Sequence, residues 1–319
     1  MKRFWHIREL STIAILVLEI VFFTWYLWPD GDRPHPFLNA GNFLLILKYS
    51  SIYGIAAVGA AVVIISGGID LAPGAIIALA SVVCAALFVD TGWPLPAAIL
   101  CALLVGMGAG AVSAVLIVAV KLPPFIATLG VMGMTRGVAF IITEGRYFDV
   151  SSKLAGGWRP AGIPADWVAP LVMILLAIVF QILMTRFQWG RQIFAIGGNE
   201  TAAVFSGVAV GRVKTSVYLL SGLLAAVAGV VLALVQGQGK ADLATGYELD
   251  IIASAVVGGA SLSGGRGSVL GAVLGTLIFG VLRNALPQIP GATFYDRFIV
   301  GLAVIVIVVM DQLLLKRGE

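Results

Sequence analysis

Few ionisable residues interrupt the apolar runs of this chain, among them Glu19, Asp70 and Arg136. Charged groups in such surroundings are costly in hydrocarbon, usually face a bundle interior, and mark ion or substrate pathways. A carrier driven by protons or sodium is expected to use several carboxylates near mid-span, and Glu19 is the one carboxylate read at that depth. His6 and His35 fall outside the apolar runs. Cys84 and Cys101 are isolated within them, so neither a metal cluster nor a disulfide framework is indicated. Gly239-Lys240 is followed by Ala241 and has Leu234 where a phosphate loop needs its first glycine, so no nucleotide fold or cofactor is expected. Nothing here resembles a catalytic constellation. If ATP drives this chain, the motor must be a separate subunit.

Two glycine pairs also break apolar runs: SGGIDLAPGA, residues 66–75, and VGGASLSGGRG, residues 257–267. A helix interrupted in this way leaves backbone groups that protein or a water-filled cavity must satisfy. A tight turn between two spans explains both segments equally well. Gly67, Gly68, Asp70, Pro73, Arg136, Gly258 and Gly259 are therefore the candidate helix-break or translocation-path residues.

Between Arg186 and Lys214 lies a basic, glycine-punctuated stretch, RFQWGRQIFAIGGNETAAVFSGVAVGRVK. Asn199-Glu200 ahead of helix-forming residues predicts a short helix outside the membrane. Such a helix in the largest basic loop (187–214) is suited to a partner.

The elements that must position these residues are dictated by composition. The chain has 319 residues, 60% of them hydrophobic and 11% charged. A soluble domain carries about 25% charged residues, so most of this surface must face lipid. The expected fold is all-α: a single polytopic membrane helix bundle over residues 1–319. A ruler of about 20 residues per span yields about ten helices: 10–28, 43–66, 72–89, 96–119, 124–143, 168–186, 215–236, 249–262, 268–286 and 297–315. The N-terminal run is long enough to span and lacks a small-residue cleavage site, so it reads as a first span. Lys and Arg at both ends and in the 187–214 loop place both termini in the cytoplasm, leaving 144–167 as the largest outer loop. Net charge of +4 without a long basic run gives no nucleic-acid signature. GAVSAVLIVAV (110–120) and GAVLGTLIFGV (271–281) echo one another in spans of opposite direction, the pattern of an inverted five-helix repeat.

SGGIDLAPGAIIALAS, KLPPFIATLG followed by MGMTRG, GRQIFAIGGNETAAVFSGVAVGRVK and LDIIASAVVGGASLSGGRGSVLGAVLG together resemble the permease subunits of ribose-type ABC sugar importers. These belong to the inner membrane components of binding-protein-dependent transport systems. The resemblance runs in one order from about residue 40 to the C-terminus. It implies a non-catalytic permease for a monosaccharide or related polyol in a bacterial inner membrane. It also implies a cytoplasmic ATPase, a second permease copy or paralogue, and a periplasmic or tethered sugar-binding protein. By the same resemblance Gly197, Gly198, Asn199, Glu200, Ala202, Ala203, Ser206 and Gly207 form a coupling helix that docks in a groove of the ATPase, with Ala202, Ala203 and Val204 as the groove contacts. Where many relatives read GGIDLSVG this chain has Ala72 and Pro73, and proline suits the first turn of a helix. A branched-chain amino-acid ABC permease and an ion-coupled secondary transporter are the alternatives.

Overall fold

The computed structural model describes residues 2–29, 35–154 and 159–295, with scattered positions from 298 to 309. Among them are eleven α-helices and one two-stranded pairing. The helices are α1 (Lys2–Tyr26), α2 (Ala40–Ile65), α3 (Pro73–Val89), α4 (Leu95–Val118), α5 (Pro124–Thr143) and α6 (Ala165–Arg186). They continue as α7 (Gln188–Gly198), α8 (Glu200–Phe205), α9 (Val210–Gln236), α10 (Tyr247–Val257) and α11 (Val269–Ala285). Strands β1 (Tyr147–Asp149) and β2 (Gln238–Lys240) pair antiparallel.

Six helices are long and apolar enough to cross a membrane: α2, α4, α5, α6, α9, and α11 with its short extension to Gln288. Two shorter apolar helices, Leu10–Tyr26 and Pro73–Val89, accompany them. The eighth expected span is the 11-residue α10, only about 17 Å long at 1.5 Å per residue. The tenth expected span, 297–315, falls largely outside the described residues.

α2 and α9 form the centre. Both are apolar around most of their circumference and largely enclosed, as a helix surrounded by other helices must be. They run in opposite senses, because α2 ends beside α7 and α9 begins there. α9 packs on α3 and α4, while α2 packs on α10 and α11. α3 also packs on α4, and α10 on α11. Exchanging α2–α4 for α9–α11 therefore maps one set of contacts onto the other.

Glycines set the close crossings. On α4, Gly106 and Gly110 lie against the backbone carbonyls of Gly222 and Tyr218 on α9, whereas Gly108 meets open space. On α11, Gly271 and Gly275 lie against the carbonyls of Gly258 and Ser254 on α10. Apolar attraction between helices is weak in lipid, so van der Waals contact between small residues supplies the association. This stripe is thus spent on packing within one chain.

Candidate functional site

The stretch 187–214 folds into two helices. A sharp reversal after Arg186 turns α7 back on α6, and Gly190 lies against the carbonyl of Met184 with no room for a side chain. Ile193 and Ile196 are buried under α7, and Trp189 Nε1 donates to Ser216 Oγ on α9 at 2.8 Å. The end of α7 carries the decisive contact. Gly197 abuts the carbonyl oxygen of Ile65 and the amide of Gly265, and the Gly265 N–H donates to that same carbonyl at 2.9 Å. A Cβ on Gly264 would lie 2.7 Å from Gly197 O and 2.9 Å from Gly67 Cα. The first glycine break, the loop after the second, and the end of α7 thus meet backbone to backbone. Gly198 faces open space.

α8 stands on this mount. Asn199 caps it by accepting from the N–H of Ala202 at 2.9 Å, as an N-cap asparagine does. Glu200 pairs with Lys214 of α9 at 2.6 Å. Ser206 Oγ donates to the Ala202 carbonyl at 2.9 Å, and Gly207 turns the chain with a φ of +80°. One expectation is corrected here. Ala203 is 3% exposed and packs on its own chain, while Val204 and Phe205 are 54% and 87% exposed. At about 100° per residue only part of a one-turn helix can face outward, and here that part includes Phe205, which sequence reasoning passed over.

The first glycine break is a non-helical segment, Ser66–Ala72, that turns at Gly67 with a φ of +82° and leads into α3. Tyr218 Oη lies where a side chain on Gly68 would sit. Asp70 is 4% exposed. Its Oδ1 accepts from the N–H of Ala72 at 2.9 Å, and its Oδ2 from Ser221 Oγ on α9 at 2.7 Å. A carboxylate buried to this degree is tolerated only with such donors. Leu71 N–H donates to Thr128 Oγ1 on α5 at 3.1 Å. Pro73 then opens α3 at a position that needs no N–H.

A second non-helical segment, residues 237–246, precedes α10, and sequence reading gave it no role. Arg136 Nη1 donates to the carbonyls of Ala241 and Leu243 there, both at 2.7 Å. It leads to Glu248, whose carboxylate lies against Gly74 in the first turn of α3. The two short helices therefore begin beside one another. Two residues further on, Asp250 accepts both contacts of Arg283 Nη2 at 2.9 and 2.8 Å. The Arg283 guanidinium lies 5.8 Å from the Tyr53 ring centre, and Tyr53 and Tyr247 rings are 4.2 Å apart. Gly258 and Gly259 end α10: the former packs on α11, and the latter turns with a φ of +95°.

The structure thus joins Gly67 to Gly197, gathers Gly68, Asp70 and Pro73 at one break, and sends Arg136 to the other. Sequence reasoning missed Thr128, Ser221, Tyr218, Glu248, Asp250 and Arg283. A signal existed for two of them: Asp250 and Arg283 lie inside the eighth and ninth apolar runs, where an ionisable residue is informative. Among the described residues no group of three or more His, Cys, Asp or Glu could hold a metal ion.

A multi-pass helix bundle, with two short helices that start from non-helical segments fixed by polar side chains of neighbouring helices, is an architecture suited to a membrane permease. Residues 42–309 match the family described as branched-chain amino acid transport system / permease component, and the chain belongs to that permease family. It is 38% identical over 281 residues to the ribose import permease protein RbsC of Bacillus subtilis (strain 168), covering 86% of each chain. The ribose import permease protein RbsC of Escherichia coli (strain K12) is 36% identical over 316 residues, covering 97% of this chain and 94% of that one. The D-allose transport system permease protein AlsC of the same organism is 34% identical over 318 residues, covering 98% and 94%. No solved structure gives a significant match.

Proposed function

We propose that this chain is the membrane-spanning, non-catalytic subunit of an ATP-driven ABC importer for a monosaccharide or related small polyol. In this reading it forms one permease domain in a bacterial inner membrane, with both termini cytoplasmic and two inverted five-helix repeats. A second permease copy or paralogue, a cytoplasmic ATPase and a periplasmic or tethered binding protein complete the machine. The exchange symmetry of α2–α4 with α9–α11 supports the repeat, and the ribose and allose relatives support the substrate class.

The observation that carries the coupling role is α8. It offers Val204 and Phe205 to a partner while its base is fastened, through Gly197, to the start of the first glycine break and to the loop after the second. A push on Phe205 therefore reaches the end of α2 and the loop that leads into α11 through backbone contacts. In this role Gly197, Gly198, Asn199, Glu200, Ala202, Ser206 and Gly207 shape the mount, and Ala203 roots it. Gly67, Gly68, Asp70, Pro73, Gly258 and Gly259 shape the helix breaks along which the path forms.

Tagged chain, purified from mildly solubilised native membranes, tests the reading. The wild type brings down an ATPase with two nucleotide-binding modules, and Phe205→Asp, equally well inserted, loses it. A wild type that captures no ATPase overturns the proposal. A branched-chain amino-acid permease is the second reading, favoured by the description of the matching family. Uptake of labelled leucine but not of pentoses or hexoses by the reconstituted complex would establish it.

A further inference from the structure

α5 is the most exposed of the long helices, yet two of its polar side chains turn toward the bundle, one to each non-helical segment. Thr128 is fully buried. It accepts from Leu71 N–H in the first segment and donates to Pro124 O at 2.9 Å. Arg136 stands eight residues on, about 12 Å along the axis, and grips two carbonyls of the second segment through one nitrogen. Those carbonyls belong to a turn between β2 and α10, where a regular ladder or helix does not consume them. Asp242 between them faces outward and pairs with Lys240 at 2.8 Å, so the acceptors Arg136 reaches here are backbone ones. Downstream of the turn, Glu248 presents a buried carboxylate oxygen that has no hydrogen-bond partner among the described residues. Its place against Gly74 depends on where the turn is held.

We propose that Arg136 is a positioning residue of the transport cycle. It is a two-pronged latch that fixes the 241–243 turn, and with it Glu248, against the start of α3. The transport half of this statement rests on the permease reading above. A guanidinium suits the task because its fork of donors can hold two carbonyls in fixed directions. Half-buried on a membrane-length helix, the guanidinium keeps its charge satisfied by these carbonyls, since a charge without such partners is costly in hydrocarbon. Lysine, with three donors on one nitrogen, can keep both bonds; methionine keeps the stem and neither bond.

The test uses the full complex of permease, ATPase and binding protein in proteoliposomes, with Cys84 and Cys101 replaced by alanine. Ala241→Cys then reports on the turn, because Ala241 is buried while the latch is closed. Arg136→Met is expected to raise the rate of maleimide labelling at that cysteine about tenfold, the scale of losing one or two hydrogen bonds. Arg136→Lys stays within about twofold of wild type. In sugar uptake, Arg136→Met lowers the maximal rate about tenfold with KM within about twofold, the mark of a lost positioning contact. Its retention of the ATPase is unchanged. Equal labelling of the Met and wild-type proteins overturns the latch, as does a Lys variant no better than Met. If Arg136→Met does not assemble, Arg136→Gln takes its place under the same criteria. A wild-type complex that imports no sugar sinks the sugar-importer reading alone, because the labelling comparison still decides the latch.

Discussion

Gly197 and Ile65 are in backbone contact: the Cα of the glycine lies against the carbonyl oxygen of the isoleucine, which also accepts the Gly265 N–H. Three segments distant in sequence share this one carbonyl neighbourhood. Gly197→Ala forces a methyl group into it, and overpacking of this kind costs about 1–3 kcal/mol. Gly198→Ala, one residue on, points into open space. Thermal unfolding of the detergent-solubilised protein should show a lowered midpoint for Gly197→Ala and little change for Gly198→Ala. Equal behaviour would mean that α7 is not docked on this carbonyl.

The same logic separates two neighbours on α8. Ala203→Glu places a charge in a buried site and should lower folding yield and thermal stability. Phe205→Glu alters an exposed side chain and should leave both within about 0.5 kcal/mol of wild type, while abolishing ATPase capture. A stable Ala203→Glu protein would contradict the orientation of the helix.

Asp70 gives a third prediction. Asp70→Leu removes the acceptor for Ser221 Oγ and Ala72 N–H, and each stranded donor costs about 1–3 kcal/mol. Asp70→Leu combined with Ser221→Ala should recover part of the loss, a coupling that a double-mutant cycle measures directly. Strict additivity would show that the two side chains do not meet.

Asp250 and Arg283 provide a fourth. Removing one partner of a buried pair costs about 3–5 kcal/mol, and the value here should lie toward the lower end because the Arg283 side chain is 32% exposed. Asp250→Ala should therefore be markedly less stable than the double variant Asp250→Leu, Arg283→Met. Thermal midpoints in that order support the pair, and the reverse order dismisses it.

Much of the bundle was legible in apolar run length. Eight of the expected spans, from 10–28 through 268–286 without 249–262, overlap observed helices of 17 residues or more. Run length fails at α10, because Tyr247–Val257 is apolar enough to resemble a span but starts only after a turn that hydrogen bonds fix from elsewhere. Asn199 and Glu200 announced α8 through local cap chemistry. The inward face of Ala203 was not legible, since a one-turn helix has no periodicity to read. Asp70 stood out as a charge in an apolar run, but Ser221 and Thr128 are ordinary hydroxyl residues until the fold delivers them. The carboxylates Glu248 and Asp250 also weaken the argument that buried acids are scarce. Asp250 is ion-paired, so it does not by itself make an ion-coupling site.

The bond between Asp70 and Ser221 joins residues 151 positions apart, which bears on how the chain is made. At about 5–20 residues per second, Asp70 emerges from the ribosome about 8–30 s before its partner. During that interval the carboxylate has no Ser221 to meet, and hydrocarbon is hostile to it. The α2–α3 junction can therefore mature only after α9 has entered the membrane. Biogenesis of this protein must shelter that junction in water or in the insertion machinery, so truncations ending before α9 are natural substrates for membrane quality control.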